Sequence, residues 1–244
     1  MEIELLALFI AGVFLVAVLY SSVGHAGASG YIAVMSLLSL APSVIKPTGL
    51  ALNILVATIT SWQFFRQGHF SWKQFWPFAV MAVPFAFLGG YISLPTGIFN
   101  LLLGIVLWYS ALRFFVADPV EKPEKPIPLI PALLIGAAMG LLSGLTGTGG
   151  GIFLTPMLLL MGWARVKQAA AVSALFILCN SIAGLLGNFS STQNLPGYIL
   201  WLLLAAALGG SIGSYLGSKR LPPLIIKRFL ALVLAIAGTK LLLI

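Results

Sequence analysis

The sequence predicts an all-α integral membrane protein made of two inverted repeats of about five helices each. Three observations carry this. Only 18 of 244 residues are charged (13 Lys+Arg and 5 Asp+Glu), or 7%, while 60% are apolar; a soluble domain carries about 25% charged residues. The charges also avoid long stretches: residues 5–45, 47–65, 74–112, 126–164 and 168–218 contain no Asp, Glu, Lys or Arg. Finally, the second apolar segment of each half is short and follows a Gly-rich break. So few charges cannot clothe a water-facing surface, which excludes a soluble globular enzyme, a nucleic-acid binder and a disordered chain. The net charge of +8 does not restore nucleic acid as a partner, because the basic residues stand singly between apolar blocks. The only cysteine is Cys179, so no intrachain disulfide can form. The partner that composition does imply is the lipid bilayer.

A spanning helix needs about 20 apolar residues. The apolar blocks run 5–23, 30–41, 45–65, 74–93 and 97–117, then 127–145, 152–163, 167–187, 197–217 and 224–243. The opening Met1-Glu2-Ile3-Glu4 lacks a positive n-region, so the first block is expected to remain as a helix. Segments 30–41 and 152–163, at 12 residues, are too short to cross alone. Ser93-Leu94-Pro95-Thr96-Gly97 divides the fourth block from the fifth, and the stretch ending in Pro196-Gly197 divides the eighth from the ninth. Residues 1–117 and 128–244 form the two transmembrane repeats, joined by a charged, proline-rich linker at 118–127. Matching residues follow in common order: Gly27 and Gly149, Tyr31 and Phe153, Met35 and Met157, Lys46 and Lys167, Gly89-Gly90 and Gly209-Gly210, Arg113 and Lys240.

Charge placement sets the orientation. If both short segments cross, eleven of the 13 Lys and Arg fall on one face and only Lys46 and Lys240 on the other. If they re-enter, the split is six against seven. The first arrangement is the one the positive-inside rule favours; it inverts the second half, puts the linker in the cytoplasm and both termini outside a plasma membrane of prokaryotic type. Re-entrant segments stay open as the alternative.

The two breaks read Gly24-His25-Ala26-Gly27-Ala28-Ser29-Gly30 and Gly144-Leu145-Thr146-Gly147-Thr148-Gly149-Gly150-Gly151. Bare backbone cannot face hydrocarbon, so these stretches line protein or water. Each opens a short helix, where free N–H groups and the dipole favour an anion. Paired interrupted helices point to a transport site near the midplane. Phosphate-loop chemistry is excluded because no Lys follows the second set of glycines. Gly89-Gly90 and Gly209-Gly210 read as helix-packing glycines, with Gly90→Ala expected to serve as a control substitution.

The string from Ser143 to Pro156 and the string Ser22-Val23-Gly24-His25-Ala26-Gly27 resemble the sulfite exporter TauE/SafE family of membrane permeases, as does the two-half layout. The resemblance covers nearly the whole chain. It implies a permease for small sulfur-containing or related organic anions such as sulfite, sulfonates and sulfoacetate.

Candidate substrate-binding residues are His25, Gly27, Ser29 and Gly30 in the first break, and Thr148, Gly149, Gly150 and Gly151 in the second. Asn53 and Asn180 sit inside the long third helices, where an amide needs a helix or a substrate as partner. His25 either contacts the anion or a proton, or caps backbone carbonyls. Lys46 and Lys167 read as basic residues at the two pore mouths, or as interfacial anchors that snorkel. Ser173 and Ser181 read as backbone-bonded, and the six tryptophans as an interfacial belt. No Asp or Glu lies within a span, so no carboxylate proton relay, no metal site and no cofactor is expected. A small-anion transporter is the leading function, with a passive anion channel as alternative. A membrane enzyme lacks an assembled triad or metal set. Assembly of several copies into a homo-oligomer is left open.

Overall fold

A computed structural model of the chain describes residues 3–116, 125–219, 231, 234–236 and 238–243. Most of the expected linker and the start of the tenth segment lie outside the described residues. Among the described residues the regular structure is all helical, with no strand. The helices are α1 (Ile3–Ser22), α2 (Ala28–Leu37), α3 (Pro42–Arg66), α4 (Trp72–Tyr91), α5 (Thr96–Val116), α6 (Leu129–Thr146), α7 (Gly151–Leu160), α8 (Val166–Gly187) and α9 (Ile199–Lys219). Further helical residues lie at 234–236 and 238–243. Among the described residues, five helices (α1, α3, α6, α8 and α9) are long and apolar enough to cross a membrane. α2 and α7 have 10 residues each, about 15 Å of helix, two residues shorter than their apolar blocks. One element escaped the sequence reading: a 3₁₀ helix at Phe189–Asn194, within the connection after α8.

Local sequence explains the ends. Pro42 occupies the first position of α3, where its missing N–H costs nothing. The Gln168 side chain accepts from the Arg165 N–H at 2.9 Å, closing the start of α8. α6 stops at Gly147, a left-handed residue (φ 78°) whose N–H bonds back to the Ser143 carbonyl at 2.8 Å.

Buried apolar residues fall into two main clusters. One gathers α1, α2, α3, α5, α9 and the end of the chain, through residues such as Phe9, Tyr31, Val56, Leu103, Leu202 and Leu234. The other gathers α4, α6, α7 and α8, through Phe78, Met139, Leu158 and Phe176. The helix pairings keep their pattern when the halves are exchanged: α4 packs along α6 as α9 packs along α1, α4 lies on α8 as α9 lies on α3, and α3 lies on α8.

Glycine stripes make the first two pairings close. On α6, a Cβ at Gly136, Gly140 or Gly144 would collide with the carbonyls of Phe78, Ala82 and Ala86 on α4. On α9, one at Gly209, Gly213 or Gly217 would strike those of Phe14, Val18 and Ser22 on α1. Such small-residue spacing lets membrane helices approach at backbone distance. Gly90 belongs to this system: a Cβ there would run into the Gly184 carbonyl. The expectation that Gly90→Ala is a mild control is therefore corrected; the obstacle is rigid backbone.

Five of the six tryptophans (Trp62, Trp72, Trp76, Trp108 and Trp201) are exposed on the protein surface, as an interfacial belt requires. Trp163 departs from it. It is buried, tilts against Phe78 with ring centroids 6.0 Å apart, and its carbonyl accepts from Gln74 Nε2 at 2.9 Å.

Candidate functional site

Both breaks are shaped by left-handed glycines: Gly24 and Gly27 in the first (φ 82° and 102°), and Gly147, Gly149 and Gly150 in the second (φ 78°, 75° and 77°). The second break leans on α3 and α8. A Cβ on Gly149 would lie 2.6 Å from Asn53 Nδ2, 2.7 Å from Ile177 Cγ2 and 3.0 Å from Ser181 Oγ. One on Gly151 would strike Ile177, and one on Gly150 would lie 3.1 Å from Phe176 Cε1 and 3.3 Å from Ser143 Cβ. Gly24, in the first break, abuts Ala170 of α8. His25 then joins the two: its Nε2–H donates to the Gly151 carbonyl at 3.2 Å. Asn53 lies near the middle of α3 (Pro42–Arg66), and Ile177 near the middle of α8 (Val166–Gly187). The breaks thus meet at half height of the two longest helices.

The expected residues divide by environment. His25 (4% exposed), Asn53, Thr148, Gly149, Gly150 and Gly151 come together at this point. Gly27 and Ser29 belong to a neighbouring hydroxyl group that the sequence reading missed. Ser29 Oγ donates to the Tyr20 hydroxyl at 3.0 Å, and a Cβ on Gly27 would lie 2.9 Å from the Tyr31 hydroxyl. Gly30 packs on Val16 and Tyr20. Asn180 is fully buried one helical turn beyond Phe176 and one turn before Gly184, on the same row of α8. Phe176 lies against Gly150 and Gly184 against Gly144, so Asn180 stands on the row of α8 that runs along the second break.

Ser173 and Ser181 correct the reading of them as backbone-bonded. Ser181 Oγ accepts from Asn53 Nδ2 at 3.3 Å, tying α8 to α3, and Ser173 Oγ accepts from Thr155 Oγ1 at 2.7 Å. Thr146 Oγ1 donates to the Leu142 carbonyl at 2.7 Å and lies 2.9 Å from Thr148 Oγ1. Since Thr146 has spent its only proton, Thr148 supplies the one between them. No sequence signal marks these partners, because serine at any position on an apolar helix reads alike.

Lys46 and Lys167 occupy unlike surroundings. Lys46 (7% exposed) donates from Nζ to the carbonyls of Gly89, Gly90 and Ile92 at 3.2, 3.0 and 3.2 Å. It neutralises the C-terminal end of α4 and lines a pocket of about 290 Å³ together with Ser43, Ser93, Thr96, Leu145 and Asn188. That pocket reaches the second break through Leu145, the neighbour of Thr146. Lys167 is exposed. Burial and the Lys167 charge hold His69, in the α3–α4 connection, below the usual histidine range. Lys240 acts like Lys46 elsewhere: its Nζ donates at 2.9 Å to the Ser36 and Leu37 carbonyls, closing α2. The described residues hold no cluster of three or more His, Cys, Asp or Glu.

A bundle of apolar helices with two backbone breaks meeting at half height defines a multi-pass membrane transporter. The family profile described as sulfite exporter TauE/SafE matches residues 8–241, and the chain belongs to that family. It is 42% identical over 248 residues to a probable membrane transporter protein of Sinorhizobium fredii, covering 99% of this chain and all of the relative. It is 32% identical over 133 residues to a probable membrane transporter protein of Methanocaldococcus jannaschii, covering 53% of this chain and 49% of that one. A sulfite exporter TauE/SafE family protein of Arabidopsis thaliana is 30% identical over 109 residues, 43% of this chain and 24% of its own. No solved structure matches.

Proposed function

We propose that the protein carries small oxyanions across a cell membrane and binds them between the two breaks. The observation that carries this is the meeting of the two breaks, where His25 of the first bonds the Gly151 carbonyl of the second and the second packs on the middle of α3 and α8. The N–H groups that open α2 and α7, ahead of Tyr31 and Phe153, which bond the Gly27 and Gly150 carbonyls, have no intrahelical acceptor and present partial positive charge. No carboxylate lies among the site residues to repel an anion. The family name and the name of the Arabidopsis relative make sulfite and sulfonates the first candidates. The pocket beside Lys46 is the access route from one face. The exchange pattern of the helix pairs supports reading the halves as inverted repeats, with the linker cytoplasmic and the termini outside.

A ligand panel on the purified protein tests this. Sulfite, sulfate, thiosulfate, sulfoacetate, taurine and simple carboxylates are compared by melting shift, since a ligand bound only to the folded state raises its stability. Hits are followed by flux into proteoliposomes. A panel with no shift and no flux refutes the proposal.

A further inference from the structure

We infer that the cargo of this site is an oxyanion that also donates hydrogen bonds: a small anion bearing a hydroxyl or amino hydrogen, rather than an acceptor-only anion such as an alkanesulfonate or acetate. The inference rests on the anion site proposed above and narrows its ligand class.

It follows from the donors and acceptors left over at the second break. Asn180 is 0% exposed, and neither Nδ2 nor Oδ1 has a partner among the described residues. Asn53, also 0% exposed, spends Nδ2 on Ser181 and leaves Oδ1 without a partner among the described residues. Ser143 Oγ is buried in the same condition. Thr148 gives its proton to Thr146 and keeps only lone pairs. Asn53 touches the break at Gly149, Ser143 lies against Gly150, and Asn180 stands on the α8 row between Phe176, which lies against Gly150, and Gly184, which lies against Gly144.

The backbone N–H groups and the Asn180 amide hydrogens can hold the anionic oxygens. The Asn180 oxygen, the Asn53 oxygen and Thr148 can only accept. Turning the Asn180 amide over does not change this, since both of its ends are open. An acceptor-only anion would bury those oxygens against negative charge with no hydrogen between them, the costly case for buried polar groups. A hydroxyl or amino hydrogen on the cargo meets them.

The test uses matched pairs on the full-length protein in nanodiscs: 2-hydroxyethanesulfonate against ethanesulfonate, and glycolate against acetate, with affinities taken from titrated melting shifts. The hydroxylated member of each pair is expected to bind about tenfold or more tightly. Asn180→Leu should bring the ratio close to one while the protein still melts cooperatively. If that variant does not fold, the wild-type ratios decide alone. Equal affinity within both pairs overturns the inference and leaves the anion site standing, as does an Asn180→Leu ratio equal to the wild-type one. Binding of no member of either pair removes the site itself, and the inference with it.

Discussion

Gly149→Ala concentrates the strain of the second break in one methyl group. The residue sits at φ 75°, where an L side chain costs about 1–2 kcal/mol. The new Cβ would also lie 2.6 Å from Asn53 Nδ2 and 2.7 Å from Ile177 Cγ2. Both neighbours are fully or almost fully buried, and overpacking of this kind costs about 1–3 kcal/mol. Together these give about 2–5 kcal/mol, or several degrees of melting midpoint at roughly 2–4 °C per kcal/mol for a chain of this size. Gly97→Ala is the control: Gly97 has no neighbour within 4 Å of its Cβ position and no positive φ. The assay is paired thermal melting in one detergent, with anion-induced shift as second readout. Gly149→Ala should melt lower and lose the shift; Gly97→Ala should do neither. A Gly149→Ala protein that melts and binds as wild type would refute both the left-handed backbone and the packing of the break on Asn53.

Four further outcomes are expected. Lys46→Met keeps the apolar stem but strips three carbonyls of their donor, so it should lower the melting midpoint by about 1–3 kcal/mol equivalent, whereas Lys167→Met should leave it unchanged. Gly90→Ala should destabilise measurably, because the Gly184 carbonyl cannot move aside; normal melting would contradict the α4–α8 packing. His69 should titrate below the ordinary histidine value, and Lys167→Gln should raise it, read from ring proton shifts. The sign follows from linkage: stability from neutral His69 is full above the ordinary value and declines as pH falls toward the lowered one. In a Cys179→Ser background, a cysteine at Val120 should resist impermeant label applied outside intact cells; ready labelling would overturn the orientation.

The lengths and order of the helices were legible because lipid demands long charge-free runs, and the short α2 and α7 announced themselves by glycine and by length. The position of the breaks was legible for the same reason. Their partners were not. In a soluble protein, polar and apolar faces reveal which side of a helix is buried; here lipid and protein interior are equally apolar, so nothing marked the Ile177–Ser181 face of α8 as the one meeting Gly149. Lys46 looked like a charge at a mouth because sequence cannot show that three carbonyls at the end of α4 lie within its reach. The Tyr20 and Tyr31 hydroxyls were hidden among ordinary aromatic residues.

The two buried clusters carry a topological consequence. Each is built around the first three helices of one half and the fourth helix of the other: α1, α2 and α3 with α9, and α6, α7 and α8 with α4. The halves have traded an arm, much as subunits do in a swapped dimer. A polypeptide severed between 117 and 127 would yield two fragments, each lacking the helix that fills its own glycine groove or carbonyl ridge, so each fragment would need the other to complete its fold. The line of division runs between α3 and α8, through the Asn53–Ser181 hydrogen bond and past Gly149, and α4 rides with the second half of the chain while α9 rides with the first.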